Sequence, residues 1–176
     1  EAPVSTGRVH NTVATVQVRW MIRRDMHDVL RIEQESSDCS WGEQDFLECL
    51  RQRNCIGMVA ELEGRVVGFM VYELHKNRLH LLNFAVASSS RRFGIGAQMI
   101  DKLVNKLSQQ RRQEIMLELR ETNLVAQLFF HSLGFRATQV LRQHYPDTQE
   151  DAYILQFRLD SEVPEPYAPT NRIVNL

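Results

Sequence analysis

The sequence predicts a mixed α/β sheet, an antiparallel meander that feeds a parallel crossover. Three observations carry this. Apolar and polar residues alternate through Ile56, Met58, Ala60 and Leu62, then Val67, Phe69 and Val71, with Glu63-Gly64 and Asn77 marking tight turns. Ile95, Met99, Ile100, Leu103, Val104 and Leu107 recur at helical spacing. Ile115, Leu117 and Leu119 then alternate again, and strand, helix, strand in one sheet closes as a right-handed parallel crossover.

Val16, Val18, Trp20 and Ile22 alternate as a first strand, and 25–36 and 43–52 read as two helices joined by Cys39-Ser40-Trp41-Gly42. The strand at 78–86 is irregular. Leu79 and Leu81 share one parity, whereas Leu82, Phe84 and Val86 share the other. A β-bulge absorbs such a slip; a strand buried on both faces fits the same residues. Residues 94–108 form the clearest helix and 114–119 a strand. Residues 123–133 are apolar nearly all round, so this helix is expected to be buried, with Gly134 stopping it. Two last strands are expected at 135–142 and 152–159.

At 176 residues the chain suits one domain, expected over 15–160. A polar lead-in covers 1–14, without the apolar core of a signal peptide. The end, 161–176, carries Pro164, Pro166 and Pro169 and reads as an extended tail. The net charge of −1 argues against a general nucleic-acid binder, and no apolar run is long enough to span a membrane. Three cysteines without metal-like spacing suit a reduced, cytoplasmic protein. The near-neutral sum hides two opposite segments. Residues 91–112 hold six basic residues and one acid, and 25–50 hold eight acids and one base.

Arg91-Arg92-Phe93-Gly94-Ile95-Gly96-Ala97 joins a strand to a helix. A helix start offers unpaired N–H groups and a positive dipole end, glycines allow close approach, and arginines add charge. This chemistry suits a pyrophosphate. It is neither the dinucleotide fingerprint, since Met99 stands at the third glycine, nor a P-loop. A glycine-rich turn that merely packs helix on strand fits the same residues. Glu118 has the parity opposite to Ile115, Leu117 and Leu119, and a carboxylate inside a buried parallel strand asks for a reason. General-base work is one; pairing with Arg120 or another cation is the other.

Arg91-x-x-Gly94-x-Gly96 after a slipped strand resembles the acetyl-CoA motif of the GNAT N-acetyltransferase superfamily. Asn83-Phe84-Ala85-Val86, Leu117-Glu118-Leu119-Arg120, Asn123, Ser132-Leu133-Gly134-Phe135, Tyr145-Pro146 and Glu150-Asp151-Ala152 follow in the order found in RimI-type ribosomal-protein alanine N-acetyltransferases, over about 17–159. The resemblance implies a GNAT fold: a mostly antiparallel central sheet, splayed at a bulge, with helices on both faces. It implies acetyl-CoA as co-substrate and no metal. Phe84, Ala85 and Val86 match the strand that holds pantetheine. Arg91 through Ala97 (Arg91, Arg92, Phe93, Gly94, Ile95, Gly96, Ala97) match the pyrophosphate motif, and Asn123 the residue bonding the cofactor arm. Glu118 matches the general base. Phe130 stands where the family carries a tyrosine acid, which leaves Tyr145 as a substitute acid or a substrate contact. Trp41 matches an aromatic on the acceptor side, where packing is an equal reading. His75 and His80 read as surface or core positions, and a covalent cysteine mechanism is disfavoured because no base is paired with Cys39 or Cys49.

The implied reaction is acetyl transfer to a protein N-terminal α-amine, such as that of a ribosomal protein, within a ternary complex. A lysine or small-molecule amine acceptor, and a non-catalytic acyl-CoA-binding module, are the alternatives. The acidic segment at 25–50 would attract a cationic amine, though a solvated helix face explains it equally.

Overall fold

The computed structural model describes residues 14–159, apart from 38 and 110. The expected tails therefore lie outside the described residues, save for Ala14. The strands are β1 (Gln17–Trp20), β2 (Cys55–Leu62), β3 (Arg65–Leu74), β4 (Arg78–Val86), β5 (Glu114–Arg120), β6 (Arg136–Tyr145) and β7 (Glu150–Arg158). They form one sheet in the order β1-β2-β3-β4-β5-β7-β6. Among the described residues only the β4–β5 pairing is parallel. The helices are α1 (Met26–Ser36), α2 (Glu43–Leu50), α3 (Ile95–Gln109) and α4 (Leu124–Ser132).

Local sequence accounts for most boundaries. Glu63 and Gly64 both have positive φ, 50° and 78°, which is the backbone of a two-residue hairpin turn matched to strand twist. The N–H of Gly42, the N-cap of α2, donates to the Asp45 carboxylate at 2.7 Å. Asn123 caps α4 by accepting the Ala126 N–H at 3.2 Å.

Two cores form, one on each face of the sheet. On one face, Ile95, Met99, Ile100, Leu103 and Leu107 of α3 pack on Met58, Met70, Tyr72, Leu79, Leu81, Ile115 and Leu117. On the other, Val29, Ile32 and Phe46 of α1 and α2 pack on Val59, Phe69, Val71 and Ala85. The slip in β4 is a bulge. Val71 pairs with Asn83, but Tyr72 pairs with Leu81, so Leu82 is the extra residue. The bulge brings Phe84 and Val86 onto the α3 face with Leu79 and Leu81, and turns Leu82 to the α1–α2 face.

The bulge also ends the parallel pairing. β4 and β5 are paired only from Arg78–Glu114 to Leu81–Leu117. Beyond that point β4 continues on β3, while β5 continues on β7. The two strands part, and the edge of β4 over 83–86 faces the gap between them.

Two expectations need correction. Helix α4 is not buried all round: Leu124, Val125 and Leu128 are 60%, 76% and 62% exposed, and Phe130 is its only buried residue. A helix against an open sheet buries only the stripe that meets it, so high apolar content did not imply burial here. The strand expected at 135–142 runs on to Tyr145, the last residue of β6, which pairs with Glu150 across residues 146–149.

Arg19 ties β1 to the start of the first helical segment. Its guanidinium donates to both carboxylate oxygens of buried Asp25, at 2.7 and 3.0 Å, and to Glu61 at 2.8 Å. The Arg19 hydrogen bonds hold the Asp25 carboxyl below the usual carboxylate range. A depressed folded-state pKa gives stability that is complete above the unfolded value of about 3.9 and is lost as pH falls through the folded value. Asp25→Asn is therefore expected to lower Tm at pH 7 and to weaken the fall of Tm below about pH 4. Thermal melts of the two proteins between pH 7 and pH 3 check this.

Candidate active site

The glycine segment leaves β4 through a short 3₁₀ turn, Ser88–Ser90, and enters α3. Arg92 and Gly94 take positive φ, 69° and 76°, which folds the backbone back before the helix. The Gln98 N–H is the first to bond back, to Gly94 O at 3.2 Å. The amides of Ile95, Gly96 and Ala97 precede it, so they lack helical acceptors and sit at the positive end of the dipole. Together with the free edge of β4 these donors fit an elongated ligand with an anionic end.

The two arginines part company here. Arg91 donates to Val86 O at 3.0 Å and to Ser36 Oγ at 3.1 Å, which ties the segment to α1. Arg92 is exposed. Gly96 serves packing: a Cβ there would lie 3.0 Å from the Phe129 ring and 3.5 Å from Phe84. The Phe84 and Phe129 rings stack at 5.8 Å, and Phe130 meets both edge-on, at 5.8 and 5.0 Å. Phe130 is itself buried, so it belongs to this ring cluster. Asn123 Oδ1 is engaged as the helix cap, leaving its NH₂ as the group with donor capacity.

Glu118 is the first β5 residue past the parallel pairing, on the sheet face opposite α3. It is not deeply buried: its side chain is 32% exposed, because β4 has already turned away. Its partner is not Arg120. Glu118 Oε2 lies 3.0 Å from His144 Nε2. Arg120 instead pairs with Asp147 at 3.0 Å and Glu150 at 3.6 Å, and its guanidinium covers the Tyr145 ring at 3.9 Å. His144 meets Tyr145 edge-on at 5.1 Å. Burial, and then the Glu118 charge, push the Tyr145 hydroxyl above its ordinary value of 10. It therefore stays a protonated O–H donor at neutral pH.

A second wall closes this face. The Cys39 thiol donates to Asp147 at 3.4 Å, linking the α1–α2 loop to the β6–β7 turn. The Trp41 N–H donates to buried Glu33 at 2.9 Å, and its ring packs edge-on against Phe46 at 5.2 Å. Burial raises the Cys49 and Cys55 thiols above their usual range, so neither is a ready nucleophile.

The structure thus brings Glu118 and Tyr145 together, and stations the glycine segment and Phe84–Val86 on the strand at the other side of the gap. His144 is a residue that the sequence did not single out. Gln143 before it has a positive φ of 48°, within a register shift between Leu141 and Tyr145, and its N–H is held by Asp151 at 2.8 Å. That irregularity decides where His144 points, and no periodicity reports it.

The family model for the Acetyltransferase (GNAT) family matches residues 20–135. The chain belongs to the GNAT acetyltransferase family. This acetyltransferase is 26% identical over 147 residues to the [Ribosomal protein bS18]-alanine N-acetyltransferase of Escherichia coli K12, covering 82% of the chain and 95% of the relative. It is 25% identical to an N-alpha-acetyltransferase of Sulfolobus acidocaldarius over 79% of the chain and 90% of the relative. The crystal structure of Ard1 from Thermoplasma volcanium superposes with a TM-score of 0.74 at 28% identity, covering 81% of the chain and 97% of that structure. The GNAT fold expected from the motifs, with its splayed sheet, is the fold observed. No helix among the described residues is long and apolar enough to cross a membrane.

Proposed function

We propose that this acetyltransferase moves the acetyl group of acetyl-CoA to the α-amino group of a protein N-terminus, a ribosomal protein being the first acceptor class to test. The observation that carries this reading is Glu118, a carboxylate standing where β4 and β5 part. A base there meets a reacting centre held between the strands. Two named relatives act on ribosomal-protein alanine and on N-alpha amines, which supports the acceptor class. Three cysteines without metal-like spacing suit a cytoplasmic setting.

In this reading the amides of Ile95, Gly96 and Ala97 hold the pyrophosphate, with Arg92 adding charge, and the β4 edge over Phe84, Ala85 and Val86 bonds the pantetheine arm. The bound co-substrate supplies an electrophilic thioester carbonyl and a thiolate leaving group: the C–N bond forms as the C–S bond breaks. Glu118 accepts the proton that the amine nitrogen sheds, directly or through water. His144 orients the carboxylate. Tyr145 donates its hydroxyl proton towards the departing sulfur, the task that Phe130 cannot perform. Trp41 and Tyr145 flank the acceptor.

Proton availability favours the α-amine. Its pKa is about 7.7–8.0 against about 10.4 for lysine, so roughly a tenth is neutral at pH 7 but under a thousandth of lysine. The decisive experiment incubates the protein with acetyl-CoA and peptides varied at the first residue, each also carrying an internal lysine. Mass spectrometry is expected to place the acetyl group on the N-terminus. Acetylation confined to lysine overturns the acceptor class, and CoA binding without turnover on any amine overturns the enzymatic reading of this site.

A further inference from the structure

Among the described residues, one further cluster is given no role in the proposed acetyl transfer, although the Glu118 charge acts on His80 from the neighbouring strand. Glu73 is the penultimate residue of β3, His75 opens the β3–β4 turn, and His80 lies on β4. Glu73 and His80 are cross-strand partners, so their side chains share one sheet face. His75 Nε2 lies 3.0 Å from Glu73 Oε2, and His80 Nδ1 lies 3.9 Å from that same oxygen. One ligand atom from each residue falls within 4.8 Å of the other two. All three residues are half-buried.

We propose that Glu73, His75 and His80 form a binding site for a divalent first-row transition ion such as Zn²⁺. Two imidazoles and one carboxylate are a donor set such ions favour, and three protein ligands leave a position open. With bonds of about 2.0–2.2 Å, tetrahedral ligand atoms stand about 3.3–3.6 Å apart. The observed spacings of 3.0 and 3.9 Å bracket that value. His75 stands at hydrogen-bond distance from Glu73, whereas His80 faces the same carboxylate oxygen from beyond hydrogen-bond distance, so both rings converge on one oxygen. The scaffold is stiff. The His75 N–H donates to Arg78 O at 3.0 Å, and its carbonyl accepts from Arg112 Nε at 2.7 Å. Ligands on paired strands and a tied turn need little reordering to close on an ion.

The test uses the full chain, free of any tag and stripped with a chelator. Zn²⁺ is titrated by calorimetry, Co²⁺ by visible absorption, and Tm is followed in both cases. A single ion per chain, ligand-field bands for Co²⁺ and a Tm that rises with metal are expected. Glu73→Gln, His75→Ala and His80→Ala should each weaken binding by about tenfold to a hundredfold or more. His75→Ala alters only a half-exposed turn residue, so it keeps the test open should His80→Ala fail to fold. Replacing Cys39, Cys49 and Cys55 by serine should leave binding unchanged. Absence of stoichiometric binding, or binding that survives the histidine changes and is lost with the cysteines, overturns the proposal. Metal binding is read here by heat, absorption and Tm, and acetyl transfer is read separately by the peptide experiment.

Discussion

Glu118→Gln is expected to lower kcat by at least about tenfold, and by about 10²–10⁴ if Glu118 carries the whole general-base contribution, with CoA affinity nearly unchanged. The substitution keeps the size and hydrogen-bonding reach of the side chain but cannot accept a proton from an ammonium. Glu118 sits on the face opposite α3, whereas the candidate pyrophosphate amides belong to α3, so binding and proton transfer use separate groups. Steady-state kinetics with a peptide acceptor, together with calorimetric titration of CoA, separates the two effects. Unchanged turnover would remove Glu118 from the mechanism. His144→Ala gives the companion result. The carboxylate remains but loses its 3.0 Å partner, so kcat should fall by less than in Glu118→Gln and the pH–rate profile should move. A purely structural His144 would leave that profile in place.

Gly96→Glu is expected to abolish CoA binding at concentrations that saturate the parent protein. Two effects combine. The new Cβ meets the Phe129 ring at 3.0 Å, so the ring cluster beside the gap must shift. The carboxylate then places negative charge among the amides proposed to receive a pyrophosphate, and like charges brought together cost several kcal/mol. At about 1.4 kcal/mol per tenfold, affinity should drop by at least a hundredfold. Gly96→Ala separates the contributions, because it adds the Cβ without the charge and should bind CoA with intermediate affinity. Retained CoA affinity in Gly96→Glu would place the cradle elsewhere.

Much of this molecule is legible in its sequence because local periodicity and turn chemistry act over a few residues. The parity change from Leu81 to Leu82 gave two readings, and the register chose the bulge: Leu82 has no partner of its own on β3. Glu63-Gly64 declares a turn by its backbone preference, whereas the capping role of Asn123 came only with the structure. The glycine segment lies at the start of a helix, as its composition implies. Helix α4 shows where such reading fails. Its apolar content is local, but burial depends on what packs against each side, and Leu124, Val125 and Leu128 meet no covering layer among the described residues.

By itself, then, the sequence determined the order and type of the elements, the bulge as one of two options, and Glu118 as a carboxylate needing a reason. Those are properties of short stretches. The tertiary structure decided the partners. It gave Glu118 to His144 rather than Arg120, turned Arg91 towards Val86 and Ser36, set Gly96 against Phe129, and gathered Glu73, His75 and His80. Each of these meetings depends on strand register and on backbone irregularities such as Gln143. A register shift of one residue reverses the face of every side chain beyond it, and what sets the register is the packing of the whole sheet.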